Sequence, residues 1–420
     1  MVKAIRGFHD ILPGEVEKWH FVEAKARKIF DDFGFSEIKI PIAEKTELFT
    51  RSIGESTDIV EKEMYTFNDR KGESITLRPE ATASVARAYI EHRLYENNRV
   101  MKLYFVGPMF RYERPQRGRY RQFHQINVEV LGTADPIIDA EIMALLSHFL
   151  VEIRVTGIEL QINSLGCFDC RADYIGKLKG FLQDKSSGLC GDCKRRVHSN
   201  PLRTFDCKNK DCIEITSSGP AILEYICQGC DTNFRDVKRH LGQLGIYYTI
   251  NPRLVRGLDY YFRTTFEVVT DKLGAQNTIA AGGRYDGLIK DLGGPDMPGL
   301  GFAIGMERLI SLFANHEDYT NPPYVFIAYL GSVAKDKALQ LSNRFRIEGI
   351  KTEMDYEGRS LKSQMRFANT LKTRFVIIIG EDELATGKVV LRNMEEHIQE
   401  EVDLDNIIEE IKLRKEVTCQ

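Results

Sequence analysis

The 420-residue chain has no marked excess of charge of either sign: 58 Lys and Arg against 61 Asp and Glu leave a formal −3 at neutral pH. A global basic surface for a polyanion is thereby excluded. Any nucleic-acid partner has to be met by a local basic patch, within a Debye length of about 10 Å. Also missing is an apolar run approaching the roughly 18–20 residues that span a bilayer. The first ten residues are charged and carry no apolar stretch of the secretory type. These absences predict a soluble, cytoplasmic protein with no membrane partner. No repeat or low-complexity tract stands out, and 43% hydrophobic with 28% charged residues excludes collagen-like and wholly disordered chains. The length exceeds what one compact core usually serves, so two or three domains are expected.

Cysteine is nearly absent outside one segment. Eight of the nine lie between Cys167 and Cys230, the ninth being Cys419. They are paired as Cys167/Cys170, Cys190/Cys193, Cys207/Cys212 and Cys227/Cys230. Without a secretory signal a disulfide framework is not expected, and such short spacings read more naturally as metal ligands. One or two structural Zn²⁺ sites of four thiolates each would use them. The competing reading is a small helical insertion with reduced cysteines, its Lys194, Arg195, Arg196 and Arg203 contacting RNA. Cys207/Cys212 departs from the two-residue gap of the other pairs, and the sequence leaves the metal state open.

What is present elsewhere reads as two kinds of domain. Trp19, Val22, Ala26, Ile29 and Phe33 recur at helical steps, and Gly34 stops the helix. Ile38, Ile40 and Ile42 alternate as a strand, with Pro41 marking an edge or an interface. A hairpin is predicted at 64–67 and 74–78. Pro79 opens a helix to about Tyr89. Strands are predicted at 101–106, 109–112, 121–131, 158–162, 264–270 and 278–281. Helices are predicted after Asp135 and Pro136, and near 234–244. Beyond Asn321, strands at 324–328 and 375–379 alternate with helices at 335–346 and 361–370. The fold class is therefore an α+β domain with an antiparallel sheet, a small Cys-rich insertion, and a C-terminal, largely parallel α/β domain. The domain bounds are 1–163 with 245–320, 164–244, and 324–420. Residues 395–410 carry eight acids and no Lys or Arg, so that face should not meet RNA.

Four segments carry chemistry. Residues 111–121 hold five arginines and one acid in a loop between two strands, and arginine recognises phosphate and carboxylate with a bidentate fork. In the strand that follows, Arg121, Phe123, Gln125, Asn127 and Glu129 share one face, roughly 7 Å apart. The opposite face is Gln122, His124, Ile126, Val128 and Val130, which turns apolar and should pack on a core. A cation, an aromatic plate, an amide and a carboxylate in a row suit a ligand with a phosphate, a flat base and a small polar group. The peptide 254–261, Leu-Val-Arg-Gly-Leu-Asp-Tyr-Tyr, places Arg256 in apolar surroundings, with an Arg256–Asp259 structural pair as the bland alternative. Residues 280–287 form a Gly-rich turn with Arg284 and Tyr285. Residues 299–309 alternate glycines, letting something lie flat on a strand, before Arg308 at a helix start that favours phosphate.

Arg111 with its loop and returning strand resembles the second signature motif of class II aminoacyl-tRNA synthetases. Residues 299–309 resemble the third, and the helix and strand ending at Pro41 are similar to the first. The peptides 254–261 and 281–287 resemble those particular to the histidyl-tRNA synthetase family. Leu77-Arg-Pro-Glu-Ala-Thr-Ala fits as well, with Ala81 standing where that family more often has glycine. The match runs in order from Arg6 into the C-terminal domain, and the cysteine-rich insertion is the departure from it.

The resemblance implies ATP-dependent ligation of L-histidine to tRNA(His) through a histidyl-adenylate, with Mg²⁺ accompanying ATP. It assigns Arg111 and Arg256 to catalysis at the α-phosphate, and Arg111, Glu113, Arg121, Phe123 and Arg308 to ATP. It assigns Glu80, Thr82, Arg111, Gln125, Glu129, Arg256, Tyr260, Tyr261 and Tyr285 to histidine, with Glu129 and Tyr261 at the two imidazole nitrogens. Arg114, Gln116, Arg117 and Arg119 would meet tRNA, residues 324–420 would bind the anticodon, and the first motif would form a homodimer interface. Two rivals remain: a non-catalytic synthetase-like regulatory subunit of histidine biosynthesis, and a synthetase for another amino acid.

Overall fold

The computed structural model describes residues 2–418 apart from 55, 56, 58, 98, 99, 117, 259, 275, 276 and 314–318. It forms two compact units, residues 1–318 and 319–420. The first is built on strands β1 (Ser36–Glu37), β2 (Ala43–Lys45), β3 (Tyr65–Asn68), β4 (Ser74–Leu77), β5 (Met101–Phe110), β6 (Gln122–Leu131), β7 (Ile158–Ser164), β8 (Thr249–Ile250), β9 (Phe262–Thr270), β10 (Thr278–Arg284) and β11 (Gly299–Gly305). The main sheet has the order β1-β5-β6-β11-β10-β9-β7-β8. Its outermost pairs, β1 with β5 and β7 with β8, are parallel, and the pairs between them are antiparallel.

Periodicity explains the core. The helix Val16–Asp32 buries Trp19, Val22, Ala26, Ile29 and Phe30 against the sheet, meeting Ile126, Val128 and Val130 of β6. The helix Pro136–Glu152 packs beside it, its first turn capped by Asp135, whose side chain accepts from Ile137 N at 2.9 Å. This helix also supplies Asp139, which takes the fully buried Arg284 guanidinium in a bidentate pair of 2.6 to 3.0 Å. The far side of β6 is left free to line a cleft.

Three expected elements differ. The 38–42 strand does not form. Ser36 and Glu37 pair with β5, Ile38 N adds a last bond to Tyr104 O at 2.9 Å, and the carbonyls of Ile40 and Pro41 accept from Arg78 Nη1 at 2.6 and 3.0 Å instead. Pro79 does not open the next helix. Its carbonyl accepts from Arg111 Nε, and the helix runs Thr82–Glu91 with the Glu80 carboxylate capping Thr82 N and Ala83 N. Residues 101–110 make one strand rather than two. β1 covers only Leu103 and Tyr104, so Pro108 sits where the outer edge needs no N–H, while its carbonyl accepts from Arg78 Nε at 2.8 Å.

The cysteine-bearing segment belongs to the first unit. Its helices, Phe168–Asp184, Gly191–Ser199, Lys210–Ser217 and Gln228–Gln243, bring Tyr174, Leu178, Leu182 and Val197 into one core with Tyr260, Tyr261 and Tyr285. The last of them starts earlier than periodicity suggested, directly after Cys227.

The second unit has strands β12 (Val325–Tyr329), β13 (Thr352–Met354), β14 (Phe375–Ile379), β15 (Lys388–Asn393) and β16 (Gln399–Asp403), ordered β13-β12-β14-β15-β16. β13, β12 and β14 are parallel, and β15 and β16 are antiparallel, so the sheet is mixed. The acidic stretch contains β16 and the start of the final helix, Ile407–Thr418. Arg414 of that helix partly neutralises the run, pairing with Glu400 and Glu410.

Candidate active site

Alternation along β6 turns Phe123, Gln125 and Asn127 into a cleft of about 270 Å³, floored by β10 and β11 and closed by the 254–261 peptide. Arg111 follows β5. Its Nε donates to Pro79 O at 2.8 Å and its guanidinium carbon lies 5.3 Å from the Phe123 ring centre. Arg256 enters from the opposite wall, with Nη1 on Glu267 Oε1 at 2.6 Å and Nη2 on the Tyr261 hydroxyl at 3.5 Å. Arg308 comes from the six-residue helix Met306–Ser311. It donates to Gly118 O at 3.1 Å and to Thr278 O at 2.9 Å. Thr278 Oγ1 donates to Glu267 Oε2 at 3.1 Å, so Arg308, Thr278, Glu267 and Arg256 form one connected network.

Three guanidiniums separated by up to 197 positions thus face one space, and the electrostatics follow. Burial, then the like charges of Arg119 and Arg111, hold Arg308 below the usual arginine range. Burial also opposes the charge on Arg256, but the Tyr261 hydroxyl and the Glu267 carboxylate outweigh it, and the group stays cationic. A cleft with fixed, partly uncompensated positive charge is organised for an anion such as a polyphosphate before one arrives.

Deeper in, Glu129 is fully buried. Its Oε1 accepts from Thr82 Oγ1 at 2.6 Å and its Oε2 from the Tyr285 hydroxyl. Burial pushes its carboxyl up to about 8, against the pull of those two donors. Tyr260 stacks near Tyr261 and Tyr285, with ring centres 4.9 and 5.8 Å away. The glycines of β11 explain how these groups fit. A Cβ on Gly301 would stand 1.9 Å from Glu129 Oε2, and one on Gly299 would stand 2.2 Å from the Tyr285 ring. What lies flat against that strand is largely the protein's own carboxylate and phenol.

Among the residues expected from sequence, Glu80, Thr82, Arg111, Glu113, Arg119, Phe123, Gln125, Arg256, Tyr260, Tyr261 and Arg308 line the cleft. Glu129 and Tyr285 lie directly beneath its floor. Arg121 lies apart from the lining, its guanidinium carbon 3.7 Å from the Tyr112 ring centre and its Nε on Glu113 O. Arg119, expected to meet tRNA, lines the cleft and pairs with Glu113 at 3.2 Å. Arg114 and Gln116 are exposed on the hairpin, and Arg117 is outside the described residues, as is Asp259. The partner that Arg256 takes is Glu267.

Sequence reasoning left out Asn127 and Glu267. Asn127 stood in the alternating row, and its Oδ1 and the Gln125 Oε1 are buried without partners at the cleft wall. Glu267 had no local signal, because its role depends on β9 passing behind the 254–261 peptide. The lining carboxylates Glu80, Glu113 and Glu307 already hold backbone N–H groups, Arg119, or His124. A divalent ion here would therefore be held largely by phosphate oxygens and water. Away from the cleft the eight cysteines gather as two sets of four.

The sequence matches the family described as histidyl-tRNA synthetase over residues 7–186 and 221–309, and an anticodon-binding domain over 324–414. It is 56% identical over 404 residues to a histidine–tRNA ligase of Geobacter sulfurreducens, covering 96% of this chain and 98% of that one. A histidine–tRNA ligase of Desulforamulus reducens is 50% identical over 413 residues, covering 97% and 98%. The crystal structure of apo histidyl-tRNA synthetase from S. aureus superposes with a TM-score of 0.83 at 37% identity, covering 98% of this chain and all of that one. An ATP phosphoribosyltransferase regulatory subunit/histidyl-tRNA synthetase from Bacillus halodurans shares the fold at TM-score 0.65 and 19% identity, covering 90% of this chain and 98% of that one.

Proposed function

Starting from this chain's membership of the histidyl-tRNA synthetase family, we propose that the cleft joins L-histidine to ATP and passes the product to tRNA(His). The activity is a ligase reaction in two steps. A histidine carboxylate oxygen attacks the α-phosphorus of ATP, the bond to the bridging oxygen breaks, and pyrophosphate leaves, its charge of the kind that an accompanying Mg²⁺ would neutralise. The terminal ribose hydroxyl of the tRNA then attacks the mixed anhydride, and AMP departs.

Such chemistry asks for positioning and charge neutralisation more than for a covalent nucleophile. Arg111 and Arg256 hold the α-phosphate from two walls and stabilise the charge that grows on it. Phe123 and Arg308 enclose the adenine, with Glu113 beside it. Glu80, Thr82 and Gln125 meet the amino and carboxylate groups of histidine. Glu129 and Tyr261 read the imidazole nitrogens, with Tyr260 and Tyr285 around them. The bare Gly301 supports this reading, because a cleft-lining residue without a Cβ makes room for the Glu129 carboxylate directly beneath the floor. Any apolar isostere would forgo its hydrogen bonds to that carboxylate and phenol, a penalty that reaches ~10⁴-fold. Arg114 and Gln116 on the exposed hairpin, with Arg117 and Arg119, approach the acceptor end, and residues 324–420 read the anticodon. The remaining parts of the reading are a cytoplasmic homodimer through the first motif and the division 1–163 with 245–320, 164–244 and 324–420.

The observation that carries the reading is the convergence of Arg111, Arg256 and Arg308 on one cleft above Glu129. A regulatory subunit is the weaker alternative, since all three arginines and the anticodon-binding unit are present. ATP–pyrophosphate exchange measured across the amino acids tests it. Exchange with histidine alone is expected. Exchange with a different amino acid, or with none, overturns it.

A further inference from the structure

We propose that the cysteine-bearing segment binds two Zn²⁺ ions in a nested arrangement: an outer site of Cys167, Cys170, Cys227 and Cys230, and an inner site of Cys190, Cys193, Cys207 and Cys212. Within each set the four sulfurs lie within 4.8 Å of one another. A tetrahedral ion with Zn–S bonds of about 2.3 Å sets its ligand sulfurs about 3.8 Å apart. The Cys190–Cys207 and Cys170–Cys230 separations are 3.8 and 4.0 Å. Disulfides would join sulfurs in twos and have no need of fours. The nesting, with the second and third pairs together inside the first and fourth, is visible only in three dimensions.

The surroundings suit thiolates. Cys167, Cys190 and Cys227 each stand at the N-cap of a helix, and Cys212 lies in the first turn of a fourth. Two helix N-termini at each site therefore face the excess negative charge that four thiolates leave on a divalent ion. Backbone N–H groups donate to sulfur as well: Cys227 N to Cys170 at 3.0 Å, Cys190 N to Cys212 at 3.2 Å, and Cys193 N to Cys190 at 3.5 Å. One pair of ligands in each set, Cys170 with Cys230 and Cys193 with Cys212, is buried. Soft thiolates in a tetrahedron select zinc or iron over the hard cations. The inner set lies wholly within residues 187–220, which the histidyl-tRNA synthetase family match leaves out.

The outer site also has a positional consequence, which rests on the histidine reading above. Arg171, next to Cys170, donates to the Tyr261 carbonyl. Gly166, next to Cys167, accepts from Arg263 N at 3.0 Å, and Leu165 N donates to Arg263 O at 2.7 Å. The outer ion thus fixes the backbone of the Tyr261 wall, and the segment of the inner ion packs on that wall through side chains, with Val197 in the same core as Tyr261.

Elemental analysis of the full chain, purified without chelator, tests the assignment: two zinc per chain are expected. Cys193→Ser and Cys230→Ser should each lower this to about one, and cobalt exchanged for zinc should give the visible bands of a tetrahedral thiolate site. Zinc well below one per chain, iron in its place, or disulfides between the cysteines overturns the proposal. Because the unaltered protein is measured first, a variant that fails to fold does not obscure the result. In pyrophosphate exchange, Cys230→Ser should raise KM for histidine several-fold with KM for ATP unchanged. Unchanged KM for histidine in a Cys230→Ser protein that has lost one zinc overturns the bracing role. Absence of exchange in the unaltered protein would instead sink the histidine reading while the metal count stood.

Discussion

Glu129 shows how much a single side chain depends on its surroundings. In the unfolded chain it titrates near 4.5, and in the fold near 8. Between those values the unfolded state gives up its proton and the folded state keeps it. Stability therefore falls as pH rises through that window, by up to about 1.4 kcal/mol per unit, and levels off above it. Glu129→Gln removes the effect. The melting temperature of the variant should gain on that of the parent as pH rises from 4.5 to 8, and thermal melts of the two across that range check it. The same variant should lose histidine-dependent exchange while binding ATP normally.

Arg256 is argued at the same scale. From the sequence, Arg256→Ala collapses adenylate formation with melting unchanged. The contact with Glu267 alters the second half, since removing one partner of a shielded pair costs ~3–5 kcal/mol. Arg256→Ala should lose pyrophosphate exchange by ~10²–10³-fold and also melt earlier. Adding Glu267→Gln should restore melting without restoring exchange. Recovery of both would make Arg256 a structural residue only.

At the scale of elements, the hairpin between β5 and β6 does two jobs. Its inward side gives Glu113 and Arg119 to the cleft, and its outward side leaves Arg114 and Gln116 in solvent. Arg114→Ala should weaken tRNA binding at low salt and reduce the slope of log affinity against log salt by about one. Pyrophosphate exchange should not change. Filter binding across a salt series is the check. Elements also show where pattern reading works. The helix Val16–Asp32, the 65–68 and 74–77 hairpin and the alternation of β6 were legible because their side-chain periods are local. The 38–42 strand and the break in β5 were misread because proline is judged there by the neighbouring strand. Bonding to β5 stops at Ile38 N, and that stop also makes Pro108 tolerable.

For the whole molecule, the two units have separate cores, one around Val128, Phe149 and Phe302, the other around Val325, Phe345 and Ile377. A chain ending at residue 318 should therefore fold and keep histidine-dependent exchange. Its charging of tRNA should fall by ~100-fold or more, the loss of about 3 kcal/mol of RNA binding. Comparing exchange and aminoacylation on the truncated chain checks this, and equal losses in both would tie the C-terminal unit to the chemistry.

The amino-acid order by itself determined the class of chemistry, through an arginine-rich loop and a strand face graded from cation to carboxylate that suit a phosphate, a flat base and a small polar group, while the imidazole was implied by two peptides that resemble those of the histidyl-tRNA synthetase family. It also determined most helices and strands, whose periods need only near neighbours. Only the tertiary structure decided which charges meet: Arg256 with Glu267, Arg284 with Asp139, Glu129 with Thr82 and Tyr285, and which cysteines share a site. Those pairings join residues brought together by sheet register and helix packing, and the energies that choose them, desolvation above all, exist only once the chain has closed around them.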